Sequence, residues 1–296
     1  MKIKKKRNKL GWFIAFVLLL IVGWVSFMFI GPKKQENSHD QAQSVQRTDQ
    51  EEGYITSNSS KEAVTSSENI VKDTGEASTI KLNSKEGGDK FTDLSSGSFK
   101  IYKANNVEVL KTATSIDAPA FTLQEVMQKY PEALIMNASG FNMSTMHITG
   151  FQMNNGKLFK DWGSDKRANN AFVINNDGSS QIYDSSVPAS TIIENGGKMS
   201  FSFGSVLIRD GQIQKNDGSV NWMIHSFIAN DAQNNLYLII SDTSTGYDQI
   251  MNKFKELDLK NAVVMDGGGS SQMAFKGEVV YPSQDQRSVN DFIILK

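Results

Sequence analysis

From Leu10 to Gly31 the chain runs for 22 residues without a charged side chain, directly after residues 2–9, which carry six Lys or Arg and no acid. At 1.5 Å per residue such a run makes a helix of about 33 Å, enough to cross a hydrocarbon core of roughly 30 Å. A cleaved signal peptide has a shorter apolar core, about 7–15 residues, and a small-residue cleavage pattern. This run instead ends in Phe27-Met28-Phe29-Ile30, and the chain has no cysteine for lipid attachment. Residues 10–31 are therefore expected to stay as a transmembrane anchor. The excess of cations before it places residues 1–9 in the cytoplasm and everything after Pro32 outside.

Residues 32–95 are dominated by Ser, Thr, Glu, Asp, Asn, Gln and Lys, with Tyr54 and Phe91 as the aromatic side chains. Such a segment buries too little apolar surface to offset its ordering entropy, which predicts a disordered extracytoplasmic stalk. The absence of cysteine removes thiol nucleophiles and Cys-based zinc sites, and fits a bacterial surface protein better than a disulfide-bonded secreted one. With three histidines, His39, His147 and His225, an all-histidine metal site is not expected either. No cofactor is expected, and a divalent cation is left open. The net charge of −1 conceals the six anchor cations, and no basic patch with interleaved aromatics points to nucleic acid.

From residue 96 the pattern changes to short apolar runs separated by turn signals, so 96–296 reads as one folded domain. Strands are predicted at 99–103, 107–111, 133–137, 171–175, 203–208, 223–229, 235–241, 261–265, 272–275 and 290–295. Asn176-Asp177-Gly178, Asp210-Gly211 and Lys276-Gly277 mark tight turns. A helix over 122–129 opens with a Thr122-x-x-Glu125 capping box, and a second over 245–257 with Thr245-x-x-Asp248. The second helix joins strand 235–241 to strand 261–265, a βαβ-like unit. The expected class is α+β, a strand-rich mixed sheet with a few helices.

Two segments carry chemistry. In Ala262-Val-Val-Met-Asp266-Gly-Gly-Gly-Ser270-Ser271 an apolar strand delivers a carboxylate to its end, followed by three glycines and two hydroxyls. Gly267, Gly268 and Gly269 let backbone amides approach a ligand closely, and with Ser270 and Ser271 they suit an anion such as phosphate. Asp266 beside them is placed for acid–base or nucleophilic work. The bland reading is an Asp-Gly turn, which needs one glycine rather than three. In Leu134-Ile-Met-Asn137-Ala-Ser-Gly140-Phe141 another strand ends in a polar residue and a glycine, making Asn137 and Gly140 candidate substrate contacts. The arrangement is neither a phosphate loop with a following Lys nor a nucleophile elbow.

Taken together these motifs resemble the phosphodiester glycosidase family. The resemblance rests on Asn137-Ala-Ser-Gly140-Phe141, on Gly204-Ser-Val-Leu207-Ile208-Arg209-Asp210-Gly211, on Asp266-Gly-Gly-Gly-Ser270, and on Arg287 ahead of a closing strand ending at Leu295. The order is that of the family, and the span is about 99–296. Three departures stand out. Ala138-Ser139 replace usual glycines, His225-Ser226 stand where an Arg-Thr pair is expected, and similarity outside the motifs is loose. The resemblance implies a hydrolase acting on a sugar-1-phosphodiester. Asp266 is then the leading catalytic candidate, and Arg287 a phosphate clamp whose planar fork matches two oxygens. His225 is a weaker replacement for an Arg or a general acid. Should strands 235–241 and 261–265 be parallel neighbours, Asp242 would emerge beside Asp266 as a second carboxylate. The bland readings are a capping Asp242, a surface Arg287 and a His225 satisfied by a backbone carbonyl. The exposed setting implies a cell-envelope glycan or glycan phosphodiester as partner. The rival expectation is a glycan-binding or exopolysaccharide-assembly protein that keeps the fold without catalysis. A serine hydrolase using Ser270 and His225 is a weaker third.

Overall fold

A computed structural model describes residues 79–221 and 223–296, which fall within one compact unit. The expected cytoplasmic segment 1–9, the anchor 10–31 and the stalk up to residue 78 lie outside the described residues. Among the described residues no helix is long and apolar enough to cross a membrane.

In chain order the elements are β1 Ile80–Lys81, β2 Phe91–Asp93, β3 Phe99–Ala104, β4 Glu108–Lys111, α1 Leu123–Lys129, β5 Leu134–Asn137, β6 Gln152–Asn154 and β7 Lys157–Lys160. They continue with β8 Asn170–Asn175, β9 Ser180–Asp184, α2 Ala189–Glu194, β10 Gly197–Ser202, β11 Val206–Arg209, β12 Gln212–Ile213 and β13 His225–Asp231. The last are β14 Leu236–Ser241, α3 Tyr247–Glu256, β15 Leu259–Met265, β16 Met273–Phe275, β17 Glu278–Tyr281 and β18 Phe292–Leu295. Two sheets dominate, one in the order β1-β4-β18-β5-β16-β17 and one in the order β12-β11-β15-β13-β14-β3-β2. The strand-rich α+β class holds. The sheets are antiparallel at every described strand pair rather than mixed.

The layering follows from side-chain alternation. In β14, Leu236, Leu238 and Ile240 face the same core as Leu134 and Met136 of β5 and Ile293 of β18, between the two sheets. Tyr237 and Ile239 face the other way, onto Ile250 and Phe254 of α3. On the far side, Ile135 and Ile294 lie with Val126 and Met127 of α1. Helix, sheet, sheet and helix therefore stack in four layers, and the central strands are apolar on both faces because both faces are covered. Phe227 meets Phe254 edge-on at 5.1 Å between centroids, an arrangement favoured by the ring quadrupoles.

Three expectations are corrected. The stalk does not reach residue 95. Ile80 and Leu82 are buried, β1 pairs with β4 and β2 pairs with β3, so the domain takes in residues 79–95. Their two short strands are anchored by the few apolar residues in a polar run, a signal too sparse for composition to register. The helix over 245–257 caps one residue later. Gly246 is the N-cap, its amide bonds Gln249 Oε1 at 2.8 Å, and the Thr245 hydroxyl donates to the Asp242 carbonyl instead. The strand expected over 203–208 is confined to β11, Val206–Arg209, and residues 203–205 form the connection from β10. The capping box of Thr122 and Glu125 at α1 forms as expected.

Candidate active site

Strand β15 ends at Met265, and the chain then leaves the seven-stranded sheet to enter β16 of the six-stranded one. Asp266 to Gln272 is therefore a crossover between sheets, and each glycine answers a different crowding. A Cβ on Gly267 would lie 2.8 Å from the Ile224 carbonyl, and one on Gly269 would lie 2.7 Å from Asp285 Oδ2 and 2.9 Å from Arg287 Nη2. Gly268 has φ +59°, the left-handed region that costs L-residues a Cβ clash.

The amides of this loop are largely spent within the protein. Gly267 N–H donates to Asp266 Oδ1 at 3.1 Å, Gly268 to the Ile224 carbonyl at 2.9 Å, Ser270 to Gly267 at 3.2 Å and Ser271 to Gly268 at 3.1 Å. The expected cradle of exposed amides is thus replaced by a tight 3₁₀ turn over Gly268–Ser270. The Ser271 hydroxyl is fully buried and bonded to Ser226 Oγ at 2.9 Å, which withdraws it as a substrate contact.

Asn137 is likewise internal. At the end of β5 it donates to the Asp266 carbonyl at 2.6 Å and accepts from Ser226 Oγ at 3.0 Å and Gln272 N at 3.1 Å. It ties the two sheets together where Asp266 emerges. Ser226, at the place of the family's Thr, completes the same network. Gly140 is held in tight packing. Its amide donates to the Ser202 carbonyl, and a Cβ there would lie 2.0 Å from the Phe203 ring.

What remains open is a cleft of about 630 Å³ lined by Phe203, Met223, Ile224, His225, Asp266 and Gly267 together with Lys166, Arg167 and Asp217. Asp266 is a half-buried part of its lining. Burial pushes its carboxyl up from 3.8 to about 6, against the pull of the Ser270 hydroxyl, the Gly267 amide and the positive charges of Arg287 and Arg167. Such a group titrates near neutrality, where it can take up and release protons during turnover.

Arg287 approaches Asp266 from the loop before β18. Its Nη1 lies 3.5 Å from Ser270 Oγ, and its Nε and Nη2 donate to Asp285 Oδ2 at 3.1 and 2.7 Å. His225, at the start of β13, is buried with Nε2 at 3.1 Å from the Asn221 carbonyl, and burial holds its imidazole below the ordinary value despite that contact. It is a neutral ring on the cleft wall. Ser270 Oγ faces Arg287 and Asp266, so the structure supplies no Ser270–His225 pairing for a serine hydrolase.

Asp242 does not partner Asp266. Strands β14 and β15 run in the same direction, but β13 lies between them, antiparallel to both. Asp242 therefore leaves the same sheet edge two strand spacings away, about 10 Å. Its carboxylate is engaged by Ser244 N at 2.8 Å and Ser244 Oγ at 2.5 Å. The second carboxylate on the cleft is Asp217, which sequence reasoning missed because it sits in a polar loop without a motif. Partial burial opposes its ionisation, but hydrogen bonds from Ser205 and Ser219 outweigh this and hold Asp217 below the usual carboxylate range. Arg167 also lies in a low-information loop, and only the fold brings it to the cleft. Among the described residues no group of three or more His, Cys, Asp or Glu is placed to hold a metal ion.

Known proteins resemble this chain in sequence and in fold. The SPbeta prophage-derived uncharacterized protein YomE of Bacillus subtilis (strain 168) is 27% identical over 191 residues, 59% of this chain and 29% of that protein. The chain thus spans less than a third of that relative. In fold, the catalytic domain of zebrafish N-acetylglucosamine-1-phosphodiester alpha-N-acetylglucosaminidase, auto-inhibited by its pro-peptide, superposes with a TM-score of 0.58 at 17% identity, covering 73% of this chain and 87% of that one. A hypothetical protein from Synechocystis gives a TM-score of 0.53 at 13% identity, over 69% and 61% of the two chains. A model of the phosphodiester glycosidase family matches residues 131–296, the stretch that holds Asn137, His225, Asp266 and Arg287. With more than half of its length matched, the chain belongs to the phosphodiester glycosidase family.

Proposed function

We propose that this protein is a membrane-anchored cell-surface hydrolase that cleaves the glycosidic bond of a sugar-1-phosphodiester in a surface or wall polysaccharide. The observation that carries the reading is Asp266 in the lining of a cleft, a carboxyl that burial pushes up to about 6 while the charges of Arg287 and Arg167 act on it. A phosphomonoester leaves as a weakly basic anion, so cleavage needs charge compensation more than a proton donor. That chemistry is met without a carboxylate in the place expected for Asp242. In the proposed step ionised Asp266 takes a proton from water, and the water oxygen bonds the anomeric carbon. The bond from that carbon to the phosphate oxygen breaks, and the electron pair departs with the phosphomonoester, met by Arg287. Residues 10–31 would hold the enzyme in the membrane, and the segment up to residue 78 would give it reach into the envelope.

Asp266→Asn should lower kcat on a sugar phosphodiester by about 10²–10⁴-fold, the usual worth of a general base. The wild-type rate should rise with pH through an apparent pKa near 6, because the base must be ionised. A rate that falls through that pH would assign Asp266 to acid catalysis instead. One observation favours a second reading. His225, where the family pattern has Arg, is neutral and committed to Asn221. This fits a glycan-binding or assembly protein that has lost turnover, and binding of wall glycan without product from any phosphodiester would select it.

A further inference from the structure

Three arginines lie between residue 79 and the C-terminus, Arg167, Arg209 and Arg287. The charges of two of them act on Asp266, and each stands two residues after an aspartate, in Asp165-Lys166-Arg167 and Asp285-Gln286-Arg287. The two segments are unrelated in position and build the same device. Asp165 accepts the Arg167 backbone N–H at 3.0 Å, Nε at 3.1 Å and Nη2 at 2.9 Å. Asp285 accepts the Arg287 backbone N–H at 3.2 Å, Nε at 3.1 Å and Nη2 at 2.7 Å. In both the carboxylate grips one edge of the guanidinium and leaves Nη1 outside its hold. The charge of each arginine is felt at the Asp266 carboxylate, and that of Asp266 is felt in turn at Arg167. Arg167 lines the cleft together with Asp266.

Holding a guanidinium in advance reduces the rotamer entropy lost when an anion binds, and two held cations whose charges both reach Asp266 suit an anion bound beside it. We propose that Arg167, held by Asp165, is the second arm of a two-armed phosphate-binding site whose first arm is Arg287. Asp165 and Asp285 act as positioning residues. The inference deepens the phosphodiester reading and rests on it for the natural ligand. It also accounts for the cation missing at position 225, since Arg167 supplies one to the same cleft from another loop.

The test uses the full chain in detergent, with inorganic phosphate as probe and binding followed by phosphorus NMR. Arg167 has a side chain 76% exposed, so Arg167→Gln should leave thermal unfolding unchanged. It should weaken phosphate binding by about tenfold or more, as should Arg287→Gln. A second readout is the titration of Asp266, faced by Lys166, Arg167, Asp217, His225 and Arg287. Losing the Arg167 charge should move its midpoint upward. Phosphate binding within twofold of wild type and an unmoved midpoint in Arg167→Gln would overturn the proposal, even if the wild type cleaves phosphodiesters. Arg167-dependent phosphate binding in a protein without turnover would sustain the two-armed site and sink the hydrolase reading.

Discussion

Asp266→Asn should make the protein more stable at neutral pH while removing its activity. Burial raises the carboxyl from 3.8 to about 6, and at about 1.4 kcal/mol per unit that rise amounts to about 3 kcal/mol of native-state penalty on the ionised form. The sign follows from proton counts. Between the two values the native state holds the proton and the unfolded state does not, so stability falls as pH rises through that window and the full penalty is present above 6. Below 3.8 both states are protonated and the contribution vanishes. Asn is nearly isosteric and uncharged, and its Oδ1 can still accept from Gly267 N–H. Since Asp266 keeps some contact with solvent, the realised gain should be about 1–3 kcal/mol at pH 7.5 and close to zero at pH 3.5. Urea unfolding of the two proteins at both pH values reads the difference as a shift in midpoint at constant slope. A loss of stability at pH 7.5 would refute the reasoning, because it would mean that the carboxylate serves the turn rather than being strained for chemistry.

Asn137→Ala removes three hydrogen bonds at a residue 1% exposed and leaves the Asp266 carbonyl, the Ser226 hydroxyl and the Gln272 amide to find other partners. At about 1–3 kcal/mol per buried group left unsatisfied, partly offset by rearrangement, the cost should be about 3–5 kcal/mol in denaturant unfolding, and a cost under 1 kcal/mol would show that the sheets are not joined there. Leu82→Ala, at a fully buried position in the polar segment 79–95, should cost about 2–4 kcal/mol. An unchanged melting temperature would return residues 79–95 to the stalk.

The elements that were legible in the sequence are those whose signal is local. Strands β5, β13, β14 and β15 each carry a run of at least three consecutive apolar residues, α1 announces itself through Thr122 and Glu125, and the hairpins at Gly211 and Gly277 have their turn residues in place. Strand order is not local. The insertion of β13 between β14 and β15, which separates Asp242 from Asp266, depends on long-range pairing that periodicity does not encode. The site divides in the same way. Asp266 and Arg287 stand in motifs, and the family resemblance brought them forward. Asn137, Gly140 and Ser271 lie at strand ends, where polar and small residues serve packing as readily as binding, and their burial is set by the fold. Arg167 and Asp217 come from loops without regular pattern, so their nearness to Asp266 exists only in the folded chain.

The central claim is that the bond broken is the one between the anomeric carbon and the phosphate oxygen, and isotope position decides it most directly. The protein is given a sugar-1-phosphodiester in water enriched in heavy oxygen, and both products are weighed by mass spectrometry after a single turnover, before the sugar hemiacetal exchanges. The account predicts the label at the sugar's anomeric hydroxyl, an unlabelled phosphomonoester, and loss of both products in Asp266→Asn. Label in the phosphate would mean cleavage at phosphorus and would contradict it.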